Sequence, residues 1–144
     1  IWAHVEEVIA GMLIIPVIHV IVVLVIIVHC YPFELHQLLF SELDSASIKY
    51  IYNGHPKDKI YNVANISIDG QNGEDLVARL DALGFEVATG AACEASSDEP
   101  SKTIMALGRT KSEAQGSLRI SFGRTTSMDE IKRFVIALSD IIRP

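Results

Sequence analysis

Residues 117–131 read SLRISFGRTTSMDEI, and this stretch decides the fold. Its first part alternates apolar and polar side chains, in the order Leu118, Arg119, Ile120, Ser121 and Phe122. That two-residue period is typical of a strand with one face buried. Ser127 then precedes Glu130 by three residues, a capping box that predicts the start of a helix. A strand followed closely by a capped helix indicates a sheet with helices packed against it.

The segments upstream repeat this combination of elements. Three short segments have the character of strands: residues 48–52, 62–68 and 85–88. Three others have helical spacing: residues 33–43, 73–83 and 101–107. Asn72 is placed to cap the second of these helices, and Gly84 to follow its end in a left-handed conformation. Strands that alternate with helices predict a two-layer α/β fold.

The helical spacing also predicts which side chains are buried. In the first helix the leucines form the inner side, and His36 belongs to the polar side. In the second helix the expected apolar stripe consists of Leu76, Val77, Leu80 and Leu83. Residues 54–57, which follow Asn53, predict a turn with no catalytic role.

The first 33 residues differ from the rest of the chain. All twelve Lys and Arg lie from Lys49 onward, and fourteen of the 21 residues in 8–28 are Val or Ile. A run of this length suffices for a helix to cross a membrane. A buried helix or strand, and a stretch of aberrant, non-natural sequence, are the alternatives. We therefore divide the chain into an apolar segment, residues 1–33, and a domain, residues 34–144.

Composition excludes several classes of protein. The 144 residues are 49% apolar and 21% charged, which excludes a disordered chain. The net charge of −6 argues against a nucleic-acid partner, because phosphate binding needs a basic surface. Two cysteines cannot form a disulfide framework, so a reducing, cytoplasmic compartment is expected.

Cys93 is the candidate nucleophile, because it lies in a loop of Gly and Ala and not within an apolar stripe. Glu94 disfavours its thiolate, whereas Lys102, Arg109 or Arg119 would favour the thiolate if the fold brings one of them close. The alternative is that Cys93 is a small buried apolar residue.

Arg119 is the candidate binding residue. It lies on the polar face of the strand at 117–122, where a rigid guanidinium suits a carboxylate, and the alternative is a surface ion pair. His29, Cys30 and His36 carry ligand-type atoms, but their spacing matches no closed zinc pattern, so no metal site is predicted.

Four stretches together resemble one family. They are NVANISIDG at 62–70, VATGAACEASSDEPS at 87–101, IMALGRT at 104–110 and SLRISFGRTTSMDEI at 117–131. In this order and spacing they are similar to the C-terminal part of cysteine desulfurases, in the class V aminotransferase family. The resemblance implies the family's two-layer small domain, with a short mixed or antiparallel sheet and helices packed on one face.

The resemblance also implies roles for two residues. Cys93 would accept sulfur from L-cysteine as a persulfide, and Arg119 would bind the carboxylate of that substrate. Pyridoxal phosphate is the implied cofactor, and a sulfur-acceptor or scaffold protein is the implied partner, for iron–sulfur cluster or thio-cofactor assembly. Members of the family are homodimers.

The chain also departs from the family's pattern. Ala91 stands where the family has a serine, and the motifs of the large domain, with its cofactor-binding lysine, are missing from the sequence. We therefore expect that this chain alone does not bind pyridoxal phosphate, and whether it is an enzyme stays open. The alternatives are a non-catalytic persulfide carrier or interaction module and an inert gene remnant, cytoplasmic or tethered to a membrane through residues 8–28.

Overall fold

The computed structural model describes residues 17–21, 31–89 and 100–143. Within them a helix over residues 31–45, α1, precedes the elements β1 (Ile51–Tyr52), β2 (Val63–Ser67), α2 (Gly73–Asp81), α3 (Lys102–Ala106), α4 (Lys111–Gln115), β3 (Ser117–Ser121) and α5 (Met128–Ile142). The three strands form one antiparallel sheet in the order β1-β2-β3. The predicted α/β fold with a short antiparallel sheet is confirmed.

The two faces of the sheet have opposite character. On one face, Ala64 and Ile66 of β2 and Leu118 and Ile120 of β3 belong to the buried core. Helices α1, α2 and α5 contribute the remaining large side chains of this core, among them Leu35, Leu39, Leu43, Leu76, Leu80, Phe134 and Leu138. The opposite face, which we call the polar face, carries Asn65 and Ser67 of β2 and Arg119 of β3. The strand alternation therefore separates the core from a surface that can bind polar ligands.

The predicted caps at the helix starts and the left-handed Gly84 are confirmed, although α2 itself ends at Asp81, two residues before the expected end. The side chain of Asn72 accepts hydrogen bonds from the amides of Glu74 and Asp75 at the start of α2. Gly84 has a φ of 84°, the left-handed conformation that glycine adopts without a steric penalty. At the start of α5 both hydrogen bonds of the Ser127–Glu130 capping box are present.

Two predicted strands are shorter than expected, because neighbouring helix ends use their amides. The amide of Ile48 donates to the Leu43 carbonyl, so β1 begins only at Ile51. The amide of Phe85 likewise donates to the Leu80 carbonyl. Of the segment 85–88, only Ala88 reaches the sheet, as an isolated bridge to Arg119.

Three other expectations need correction. Leu83 is 57% exposed, because α2 has ended at Asp81 and its helical stripe no longer applies. His36 is buried at 2% exposure, because it packs among aromatic rings and not on the polar side of α1. Helix α4 was not predicted, although Thr110 and Glu113 form a capping box that marks its start.

The N-terminal region is described only in part. Residues 17–21 are helical and exposed, and none of the helices among the described residues has the length and hydropathy needed to cross a membrane. Most of residues 8–28 lie outside the described residues. The Tyr31 hydroxyl donates to the Thr126 carbonyl at 2.8 Å, so the packed part of the chain includes Tyr31.

Candidate functional site

Arg119 lies in the middle of β3, opposite Asn65 of β2, with its side chain exposed on the polar face. Its guanidinium forms no hydrogen bond or ion pair with another described residue. The alternative of a structural ion pair for Arg119 therefore has no support in the described part of the chain. An exposed guanidinium held by a paired strand is a suitable site for a carboxylate.

Arg119 has a neighbouring segment on each side. Asn65 of β2 is its partner in the strand register, whereas both of its backbone hydrogen bonds are formed with Ala88 on the other side: its amide donates to the Ala88 carbonyl at 2.6 Å, and its carbonyl accepts from the Ala88 amide at 3.2 Å. These two bonds attach the chain that leads toward Cys93 directly to the strand that carries Arg119.

Cys93 and Glu94 lie outside the described residues, as do His29 and Cys30. The predicted roles of Cys93 and Arg119 stay predictions. Three cationic side chains were expected to favour the Cys93 thiolate if they lay close to it. Of these, Lys102 is exposed at the start of α3, and Arg109 is hydrogen-bonded to the sheet.

Arg109 is bound to the end of β1. Its Nε donates to Asn53 Oδ1 at 3.0 Å, and its Nη2 donates to the Tyr52 carbonyl at 2.9 Å. These bonds connect the segment after α3 with residues 56 and 57 positions earlier in the chain. Arg109 therefore anchors the C-terminal side of the predicted Cys93 loop to the sheet.

Asn53 continues this network across the polar face. Its Nδ2 donates to Asn65 Oδ1 at 2.8 Å and to Ser67 Oγ at 2.7 Å. Asn53 is only 8% exposed and Ser67 is fully buried, so these hydrogen bonds are shielded from water. Asn65, at the end of the network, lies opposite Arg119.

This donor set does not fit pyridoxal phosphate by itself. The hydrogen-bonded residues of the polar face are two asparagines, a serine and Arg109, with Arg119 beside them. They include neither an amine that could hold the cofactor covalently nor a carboxylate that could pair with its ring nitrogen. The described residues supply a guanidinium and amide donors, which suit an anion, but no electron sink.

Two other regions of the described structure fit the predicted chemistry less well. A cavity of about 330 Å³ lies between residues 84–87 and the start of α5, and its lining contains Glu86 and Glu130 but no Lys, Arg, His or Cys. It therefore does not suit an anionic substrate. The buried Nε2 of His36 has aromatic neighbours and no metal ligand, and the described residues contain no group of three His, Cys, Asp or Glu that could hold a metal.

Sequence reasoning missed the network but not Arg119. The alternation of Asn65 and Ser67 with Ala64 and Ile66 is a signal for a polar face that the sequence contained. No sequence spacing connects Arg109 with Asn53, because the contact joins segments distant along the chain.

The chain belongs to the aminotransferase class-V family, whose model matches residues 25–134. Within this family it is similar to cysteine desulfurases. It is 35% identical over 91 residues to cysteine desulfurase IscS of Methanosarcina thermophila, which covers 63% of this chain and 22% of that protein. It is also 35% identical over 111 residues to IscS of Pseudomonas aeruginosa, covering 74% of this chain and 27% of the relative. The chain thus spans about a quarter of the length of these curated relatives.

Solved structures show the same fold. A NifS-like protein superposes with a TM-score of 0.62 at 21% identity, over 76% of this chain and 26% of the other. A NifS-like protein from Rickettsia africae superposes with a TM-score of 0.60 at 17% identity, over 76% of this chain and 28% of the other.

Proposed function

We propose that this chain supplies the sulfur-accepting Cys93 and the carboxylate-binding Arg119 of a cysteine desulfurase. L-Cysteine is the substrate, and a sulfur-acceptor or scaffold protein for iron–sulfur cluster or thio-cofactor assembly receives the sulfur in the cytoplasm. Pyridoxal phosphate, which the family implies, acts as the electron sink when it is bound, and residues outside this chain hold it.

The observation that carries this proposal is the pair of hydrogen bonds between Ala88 and Arg119. Cys93 follows Ala88 by five positions, and five residues of extended chain span at most about 18 Å. A substrate whose carboxylate contacts Arg119 is therefore within reach of a thiolate on this segment. Sequence similarity to cysteine desulfurases on both sides of Cys93 supports the same assignment.

The reaction balances without an external oxidant. The Cys93 thiolate attacks the sulfur of L-cysteine, so that an S–S bond forms and the C–S bond of the substrate breaks. The electron pair of the broken bond stays on the substrate carbon, which takes up a proton. The products are alanine and a persulfide on Cys93.

The test is mass spectrometry of the 144-residue chain after incubation with an intact cysteine desulfurase, pyridoxal phosphate and L-cysteine. We expect the mass of one sulfur atom added to Cys93. The addition should disappear in Cys93→Ala and persist in Cys30→Ala, which removes the other cysteine of the chain. No sulfur on Cys93, or sulfur on Cys30 alone, would refute the proposal in favour of an inert remnant.

A second arm separates direct transfer from relay. Here the added desulfurase has its own acceptor cysteine replaced by alanine. Sulfur on Cys93 in this arm supports direct attack on the substrate, as proposed. Sulfur that appears only with the intact desulfurase indicates that the chain is a persulfide carrier.

A further inference from the structure

Arg109 fixes which side-chain atoms donate and which accept hydrogen bonds on the polar face. A guanidinium carries only donors and cannot accept a hydrogen bond. Because Arg109 Nε donates to the Asn53 side chain, the atom that faces it must be the amide oxygen, Oδ1. The nitrogen of the same amide, Nδ2, must then point the other way and donate.

Asn53 in turn fixes the orientation of the Asn65 side-chain amide. Both hydrogens of Asn53 Nδ2 are used, one toward Asn65 and one toward Ser67 Oγ. The atom of Asn65 that faces Asn53 must therefore be its oxygen. Rotating either amide by half a turn would place two donors against each other in a region where Asn53 is 8% exposed, and a buried donor without an acceptor is destabilising.

Among the described residues, the nitrogen of Asn65 is consequently left with two hydrogens and no acceptor. No hydrogen bond links Asn65 Nδ2 to another residue of the described ranges. Directly opposite on the same face is Arg119, and side chains so paired have Cβ atoms about 4.5–5.5 Å apart. Two sets of donors that have no partner among residues 31–89 and 100–143, one of them charged, thus lie side by side on the polar face.

We propose that Asn65 is a second donor to the substrate carboxylate that Arg119 binds, and that Arg109 and Asn53 are positioning residues that orient its amide. This inference rests on the proposed function, and it adds a binding residue. A carboxylate offers two oxygens with about four acceptor sites, so it accepts a guanidinium and an amide together. A compound with the thiol and amine but no carboxylate gains nothing from either donor.

The test is NMR of the ¹⁵N-labelled chain during titration with L-cysteine under reducing conditions, with cysteamine, which lacks the carboxylate, as the control ligand. We expect the side-chain N–H signals of Asn65 and Arg119 to shift with L-cysteine and not with cysteamine. Asn65→Asp has nearly the same shape but replaces the donors by a negative charge. It should weaken L-cysteine binding by at least about tenfold, because a hydrogen bond to a charged group is lost and the new carboxylate repels the substrate carboxylate and competes for Arg119.

The positioning role is tested at Arg109. Arg109→Lys keeps a group that only donates and should preserve the L-cysteine shift of Asn65. Arg109→Gln can donate or accept, so it no longer orients Asn53, and the shift should shrink. Arg133→Gln, which removes a charge from the exposed pair with Asp129, controls for the lost charge. A circular-dichroism melt of each variant verifies that it is folded.

The outcomes separate this inference from the proposed function. If L-cysteine shifts Arg119 alone, and Asn65→Asp binds as the wild type does, the inference is refuted while the role of Arg119 stands. If neither side chain responds to L-cysteine, both the inference and the role proposed for Arg119 are refuted. Equal Asn65 shifts in Arg109→Lys and Arg109→Gln would refute the positioning role.

Discussion

His36 is a buried polar side chain that lies among aromatic rings and not on the polar face. It lies 4.8 Å from the Phe40 ring and 5.5 Å from the Tyr61 ring, measured between centroids, and its Nε2 has no hydrogen-bond partner. The Lys59 ammonium lies above the rings of Tyr52 and Tyr61, at 4.9 and 5.8 Å from their centroids. Burial first, and the charge of Lys59 second, lower the pKa of His36 below 6.5. Folding therefore disfavours the protonated form of this imidazole.

Stability should consequently depend on pH through His36. The unfolded chain binds a proton at this residue near pH 6.5, whereas the folded chain does so only at lower pH. The contribution is complete above about pH 6.5 and declines as the pH falls toward the lower pKa of the folded state, by at most about 1.4 kcal/mol per pH unit. Urea unfolding at a series of pH values measures it.

Two variants isolate this contribution. His36→Phe removes the titrating group from its aromatic surroundings and should flatten the profile between pH 6.5 and the acid range in which carboxylates titrate. His55→Gln, which changes an exposed histidine that accepts a hydrogen bond from the Asp58 amide, is the comparison variant. A slope that is identical in the wild type and His36→Phe would contradict the assignment.

Among the elements, α5 shows most directly how a sequence signal becomes a structural boundary. Ser127 Oγ accepts from the Glu130 amide, while Glu130 Oε2 accepts from the Ser127 amide at 2.7 Å. The hydrogen bonds from Ser127 lower the pKa of Glu130, so its carboxylate stays ionised at the positive end of the helix dipole. The helix then buries Phe134, Val135 and Leu138 in the core.

Removing this cap should destabilise the domain. Ser127→Ala leaves the amide of Glu130 without its partner and should lower the free energy of unfolding by about 1 kcal/mol. Ser127→Asp keeps an acceptor at the same position and should retain most of the stability. Urea unfolding compares them, with exposed Ser45→Ala as a control outside any cap. Equal losses in the alanine and aspartate variants would show that the cap is not the cause.

Regular elements were predictable where a local signal was sufficient. The capping boxes, the left-handed Gly84 and the alternation in β3 depend on residues near each other in sequence. The lengths of β1 and of the segment at 85–88 were not predictable in this way. They depend on whether an amide completes a helix end or pairs with another strand, and these two uses compete for the same donor.

At the scale of the molecule, the described residues provide a sheet with helices packed on its core face and a polar face that carries Arg119. The chain spans about a quarter of its desulfurase relatives, and its polar face lacks the groups that hold the family's cofactor. The chemistry that needs an electron sink is therefore proposed to depend on residues outside this chain.

The purified chain should bind no pyridoxal phosphate. After incubation with the cofactor and desalting, we expect no absorbance band of protein-bound cofactor. The same chain should still show the L-cysteine response at Arg119, which depends on the polar face alone. A cofactor band that survives desalting would contradict this prediction. If the band then disappears when Lys102 is replaced by alanine, the cofactor is bound by that lysine.

The sequence by itself determined the fold class, the family resemblance and the outward position of Arg119, because periodicity, caps and contiguous motifs are local properties of a chain. Only the tertiary structure decided that Arg109 meets Asn53, that Asn65 lies beside Arg119 and that His36 is buried. These contacts join distant segments, and the free energy of burying a side chain depends on which surfaces cover it. The residues that orient the proposed binding site are therefore properties of the folded chain.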